Sequence, residues 1–131
     1  MKILLLLSTI SFSVWSSDLS RQVWTHGSDN YLFSLDPSSN ILISHHCVNS
    51  EVSFEKSTCT AAKIIQEKKT VKLPAGSMKG GKNPGAVICT IGLKQKIKIL
   101  KDLQNNENSF CVFDDGSMIS AINLIALVKD K

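Results

Sequence analysis

Aromatic side chains are scarce in this sequence of 131 residues, where Phe, Trp and Tyr together make up 6%. None of them lies within residues 56–101, the part of the chain that is richest in lysine. Because sequence-specific RNA binding relies on stacking bases against aromatic rings, this absence disfavours it. Seven Gly and three Pro, with 43% hydrophobic residues, also exclude a collagen-like fibre and a disordered polymer. The length suits one domain of about 100–150 residues.

The motifs of common catalytic sites are missing as well. The sequence contains no Gly-x-Ser-x-Gly and no His-Glu-x-x-His, and the Gly-Gly-Lys at 80–82 lacks the spacing of a phosphate loop. Asp114 and Asp115 are adjacent acids, and paired carboxylates can serve in general acid/base catalysis. Asp-Gly between apolar strands, however, is typical of a turn. We therefore predict that the protein is not an enzyme.

The N-terminus has the build of a secretory signal peptide. Lys2 supplies a positive charge, residues 3–14 form an uncharged and mostly apolar run, and Ser16 places a small residue before the cleavage point. The alternative is a membrane anchor, but a span needs about 20 apolar residues and this run is shorter. We predict that residues 1–16 are removed, that the protein is secreted or periplasmic, and that the mature chain has no transmembrane span.

Lysine is concentrated in the middle of the chain. Residues 56–101 contain eleven lysines and one acid, Glu67, whereas the segments on both sides of them carry net negative charge. Such a run is commonly a solvated face that acidic flanks partly neutralise. The functional interpretation is a patch for an anionic partner such as nucleic acid, lipid headgroups or an envelope polymer.

One part of this run alternates in the manner of a strand. Lys94, Lys96 and Lys98 would then share one face, with Ile97 and Ile99 on the other. We take the three lysines as a possible anion-binding face.

Cysteine is present in an even number, at positions 47, 59, 89 and 111. An exported protein meets oxidants, so we expect two disulfides among Cys47, Cys59, Cys89 and Cys111. Three connectivities are possible. Pairing of neighbours along the chain would contribute about 3 kcal/mol per bond by restricting the unfolded chain.

Metal binding is the alternative role for these cysteines. His45 and His46 precede Cys47, and His26 lies upstream, but no Cys-x-x-Cys or His-x-x-x-His spacing occurs. Adjacent histidines on a strand also point to opposite faces. We predict no metal site and no cofactor.

Hydrophobic patterning predicts an α+β fold in a small, disulfide-stapled domain. For the N-terminal half it predicts short strands at 23–25, 31–35, 41–43 and 52–54, and one helix at 58–69 capped by Ser57. For the C-terminal half it predicts a helix–β-hairpin–helix: a helix from Asn83 and Pro84 to a left-handed stop at Gly92, a hairpin of 94–99 and 109–113, and a helix at 118–129 capped by Ser117. A strand in part of this last segment is the alternative. The domain organisation is then 17–73, a linker at 74–82, and 83–131.

Two segments resemble a known family. They are Gly-Lys-Asn-Pro-Gly-Ala-Val-Ile-Cys at 81–89 and Ser-Phe-Cys-Val-Phe-Asp-Asp-Gly-Ser at 109–117. Together they resemble a small exported bacterial domain of unknown function whose members are often labelled haemolysins, with the pattern Asn-Pro-x-Ala-x-x-Cys followed by Cys-x-Phe-x-Asp-Gly-Ser. The match covers about residues 80–127 and is carried by Asn83, Pro84, Ala86, Cys89, Cys111, Phe113, Asp115, Gly116 and Ser117.

The departures from that family concern its other cysteines. Ile119 stands where members usually have a third Cys, and the fourth Cys and a Trp of the closing segment are missing. The resemblance thus implies that Cys89 bonds to Cys111 and Cys47 to Cys59, and it transfers no catalytic residue.

The function expected from all of this is an exported, non-enzymatic domain that binds or supports an anionic envelope component or another protein. The alternative is a secreted effector that is toxin-like and membrane-active, as the haemolysin label suggests, or protease-inhibitor-like.

Overall fold

The computed structural model describes residues 20–49, 56–127 and 129–130. The predicted signal peptide at 1–16 and the predicted strand at 52–54 lie outside these residues. The strands are β1 (Ser20–His26), β2 (Asp29–Asp36), β3 (Ile41–Ser44), β4 (Thr70–Val71), β5 (Lys96–Lys101), β6 (Glu107–Val112), β7 (Met118–Ser120) and β8 (Lys129–Asp130). The helices are α1 (Thr60–Glu67), α2 (Pro84–Val87) and α3 (Ala121–Leu127), with a 3-10 turn at His45–Cys47 and a π turn at Ile88–Gly92.

Six antiparallel strands form a closed barrel in the order β1-β2-β3-β7-β6-β5. The predicted α+β fold, with a helix–hairpin–helix C-terminal half, is therefore wrong. The sheet β1-β2-β3 meets the sheet β5-β6-β7 at two seams, and each seam is a single residue pair: Ile43 with Ile119, and Thr25 with Lys101. Strands β4 and β8 form a separate two-stranded parallel sheet.

The barrel interior is packed around Phe110, which is wholly buried. Its ring centroid lies 4.4 Å from that of Phe33 and 5.2 Å from that of Trp24. Trp24 belongs to β1 and Phe33 to β2, whereas Phe110 belongs to β6. Aromatic pairs at these separations add about 0.5–1.5 kcal/mol to the burial of their surface. The interior therefore ties the two three-stranded sheets together.

A second core lies on the outer side of β3, β6 and β7. Ile43, Cys111 and Ile119 alternate with the interior residues along these strands and pack in the same cluster as Ala61 and Ile64 of α1. Because both faces of β3 and β7 are buried, these strands lack the apolar–polar alternation of a half-exposed strand. A short, continuously apolar run is ambiguous between helix and strand, which is why the predicted α+β fold failed.

The last segment shows this ambiguity directly. The predicted helix at 118–129 begins as β7, which pairs with β6 and β3, and α3 starts only at Ala121. The alternative interpretation, a strand in part of the segment, is confirmed. Ser117 does cap a helix, but the helix is α1: its Oγ accepts a hydrogen bond from Ala61 N at 3.0 Å. Helix α1 itself begins at Thr60 with Cys59 as N-cap, two residues later than predicted from Ser57.

The start of α2 is confirmed as predicted. The Asn83 side chain accepts a hydrogen bond from Ala86 N at 3.2 Å, and Pro84 occupies the first turn. The left-handed stop at Gly92 is wrong, because the left-handed residue is Lys94, with φ 58°. Gly92 packs closely against β4 instead: a Cβ there would lie 3.1 Å from the Val71 side chain, which would have to shift.

The two disulfides join Cys47 to Cys59 and Cys89 to Cys111. The first attaches the end of β3 to the start of α1, and the second attaches the π turn to β6. Both bonds lie in the outer core, where all four residues are buried. They fix the helices to the outside of the barrel.

Replacing either partner of the second disulfide should cost the same stability. We expect Cys89→Ser and Cys111→Ser each to lower the free energy of unfolding by about 2–5 kcal/mol, and the double variant to be no worse than either one. Urea unfolding under oxidising conditions would measure this. Clearly additive losses would contradict a disulfide between Cys89 and Cys111.

Candidate functional site

One end of the barrel carries a groove of about 380 Å³. It lies where β2 begins, β3 ends and β7 begins, so residues far apart in the chain face one another across it. We call it the histidine groove; its lining includes Asn30, Tyr31, Leu32, His45, His46 and Met118. The combination of imidazole, amide and phenol groups with an apolar wall is typical of small-ligand sites.

Tyr31 is held at this groove by Lys98. The Lys98 Nζ donates a hydrogen bond to the Tyr31 hydroxyl at 2.9 Å and lies 5.1 Å from the ring centroid. Both side chains are half-buried. The contact joins β5 to β2 across the seam where β1 and β5 share one residue pair, and so adds a side-chain contact there.

His45 is oriented by a buried serine. The Ser34 Oγ and the His45 Nδ1 share a hydrogen bond at 2.7 Å, and Ser34 is wholly inaccessible to solvent. Since Nδ1 is occupied, Nε2 is the nitrogen of this ring that remains for other partners. The next residue, His46, is exposed. The 3-10 turn therefore puts both rings on the groove, whereas a strand would have sent them to opposite faces.

The lysines of the predicted anion-binding face lie at the same end of the barrel. Lys94 and Lys96 are exposed and Lys98 is half-buried. Lys96 and Lys98 share a face of β5, as the alternation predicted, and Lys94 precedes the strand in a left-handed conformation. On the other face, Ile97 packs against the outer core and Ile99 is 52% exposed.

Carboxylate partners for the lysines are scarce. Within the described part of the chain the one ion pair joins Lys101 to Glu107, at 3.5 Å between two exposed side chains. The other ten lysines of residues 56–101 have no acidic partner there. Those acids of the flanks that the structure describes thus do not neutralise the ten lysines by direct contact.

Asp115 has a structural role at the N-terminus of α1. Its carboxylate accepts hydrogen bonds from Thr60 N at 2.7 Å and from the Ser117 hydroxyl at 2.6 Å. Burial raises the pKa of Asp115, but these hydrogen bonds outweigh it and lower the pKa to about 2. An ionised carboxylate fixed at the N-terminus of α1 stabilises that helix and is poorly suited to proton transfer. Asp114 is exposed and forms no side-chain hydrogen bond within the described residues.

The histidines do not converge on a metal site within residues 20–49, 56–127 and 129–130. No group of three or more His, Cys, Asp or Glu side chains is arranged there to hold an ion. His26 lies apart from the other two, with its Nδ1 3.1 Å from the Ile99 carbonyl oxygen.

Sequence reasoning missed two members of this site. Tyr31 and Ser34 looked like ordinary strand residues, and His45 and His46 were considered only as metal ligands. No local pattern marks them, because the groove forms only when β2, β3 and β7 come together in the fold. The sole signal was that Tyr31 is the single tyrosine of the chain.

Comparison with known proteins found no relative of this chain. No protein-family model matches the chain, and neither a curated protein nor a solved structure shows significant similarity to it. The resemblance to the haemolysin-labelled family therefore stays a prediction. None of the helices in the described residues is both long and apolar enough to cross a membrane.

The Asp115 carboxylate should make stability depend on pH in the acid range. Its pKa is lower in the folded protein than the usual 3.8, so the stabilisation is present above about pH 4 and is lost as the pH falls towards 2. We expect Asp115→Asn to cost about 1 kcal/mol at pH 7, allowing for solvent screening, and less than about half of that at pH 2.5. Urea unfolding at pH 7, 4 and 2.5 would measure this.

Asp114→Asn is the matched control, since the neighbouring carboxylate is exposed and does not contact α1. Identical pH profiles for the two variants would contradict the role of Asp115.

Proposed function

We propose that this protein is an exported, non-catalytic binding domain that holds an anionic component of the cell envelope at the lysine-bearing end of its barrel. Export is supported by the signal-like residues 1–16 and by the two disulfides, which are typical of proteins in an oxidising compartment. The secreted or periplasmic location is part of the proposal.

The observation that carries the proposal is the set of lysines without acidic partners. Exposed ammonium groups that are not neutralised by neighbouring carboxylates produce a positive potential that attracts anions. Lys94 and Lys96 belong to this set. Lys96 pairs with Val112, and Val112 pairs on its other side with Met118 of the groove lining. A fold whose helices are fixed by disulfides presents these charges with little reorganisation on binding.

The non-catalytic part of the proposal is supported by the contacts and burial of the polar side chains. Asp115 is committed to the N-terminus of α1, and Ser34 is wholly buried beneath His45. A Ser–His pair whose hydroxyl is out of reach of substrate cannot supply a nucleophile. These groups are better explained as supports of the fold and of the groove.

A membrane-active protein is the second candidate. It is favoured by Ile122 and Ile125 of α3, which are 65% and 48% exposed and lie three residues apart on one helix face. Such a face can contact lipid.

Lys96→Gln tests the proposal, with Lys63→Gln as the matched control on the exposed side of α1. We expect the wild-type protein to bind polyphosphate or polygalacturonate more weakly as NaCl is raised, because salt screens exposed charges. Lys96→Gln should weaken binding severalfold at low salt, whereas Lys63→Gln should have little effect. Titration calorimetry across ionic strength would measure this.

The contrary outcomes are specific. Equal losses for both lysine variants would point to diffuse charge and would contradict a binding end. Release of dye from phosphatidylglycerol vesicles, reduced by Ile122→Ser, would support the membrane-active candidate.

A further inference from the structure

We infer that the histidine groove is a subsite for an anionic sugar ring, with a carboxylate or phosphate as its charged group. This inference rests on the proposed function, since it names the chemistry that the barrel end would select within an anionic polymer. The lysines alone would attract any polyanion. The groove adds a shaped place in which one charged unit can be held.

The Tyr31 hydroxyl is one donor that an anion would meet. It accepts a hydrogen bond from Lys98 Nζ, so its own proton is left to donate, and within the described residues no acceptor takes it. The ammonium uses one N–H in this contact and retains two. A carboxylate or phosphate oxygen near the phenol would therefore receive a neutral and a charge-assisted hydrogen bond together.

The histidine pair supplies the opposing side. His45 is fixed through Nδ1 by the buried Ser34, and no described residue bonds its Nε2. His46 follows it on the 3-10 turn, with its ring exposed on the groove. When the Ser34 hydroxyl donates to Nδ1, the Nε2–H of His45 is a donor fixed by a buried partner. Such a donor loses little entropy on binding, which distinguishes this arrangement from surface lysines.

The remaining lining favours a ring over a bare ion. Leu32, which is 43% exposed, and the buried Met118 add apolar surface to the lining, and Asn30 adds a polar residue. The volume of about 380 Å³ lies in the small-ligand range and exceeds what an inorganic anion needs. No carboxylate lines the described groove, and the nearby Asp115 is turned towards α1.

The test uses D-galacturonate and glucose 6-phosphate as charged probes, with glucose and inorganic phosphate as controls. We expect the charged sugars to shift the amide resonances of Asn30, His45 and His46 in two-dimensional NMR. Glucose should leave them unmoved, and phosphate should bind at least severalfold more weakly than glucose 6-phosphate. Binding of phosphate as tight as that of glucose 6-phosphate would overturn the sugar ring as the ligand. Equal binding of glucose would overturn the anionic group.

Tyr31→Phe removes the hydroxyl alone and should weaken the charged sugars about tenfold, because a hydrogen bond to a charged group is worth about that factor. His46→Ala, at an exposed position, should weaken them as well, and Lys79→Gln in the exposed loop at 72–82 should not. Thermal melting would show that each variant is folded. Undiminished binding by both groove variants, or no binding of either charged sugar at millimolar concentration, would overturn the inference.

The two proposals fail separately. If polyphosphate binding depends on Lys96 while Tyr31→Phe leaves sugar binding unchanged, only the groove is misassigned. If the sugars bind in the groove but Lys96→Gln leaves the affinity for polyanions unchanged, the anionic polymer is the wrong partner.

Discussion

The packing of Phe110 against Phe33 and Trp24 is the interaction on which the rest of the structure depends. The barrel is built from two three-stranded sheets whose strands share only one residue pair at each seam. So few ladder hydrogen bonds cannot by themselves hold two sheets together. Burial of the three rings in the interior supplies the missing attraction, since large apolar side chains each contribute roughly 1.5–3 kcal/mol on burial. Closure in turn brings Lys98 of β5 within hydrogen-bond distance of Tyr31 of β2.

The outer layer and the candidate site both follow from this closure. The disulfides and the Asp115–Ser117 turn fix α1 and the π turn to the outside, and so leave the barrel end open to solvent. Lys98 then bonds to Tyr31 across the seam between β1 and β5, and the 3-10 turn places His45 within hydrogen-bond distance of Ser34.

Much of the local structure was predictable. Strands at 23–25, 31–35 and 41–43, the hairpin of β5 and β6, and the Asn83–Pro84 helix start all correspond to observed elements. Their signals are short in range: turn residues, caps and alternation. The helix predicted at 118–129 failed because Met118–Ser120 is buried on both faces, a pattern that a helix and a central strand share. The prediction that Ser117 caps the last helix is wrong, because its Oγ accepts a hydrogen bond from Ala61 of α1, more than fifty residues earlier in the chain.

The sequence by itself determined which residues carry charge, which could bond through sulfur, and where the chain turns, because these properties belong to single residues or to close neighbours. Only the tertiary structure decided that the strands close into a barrel, that Lys98 bonds to Tyr31, and that Tyr31 and His45 line one groove. Those contacts depend on the pairing of strands distant in sequence, and no periodicity within one strand records which partner it will find.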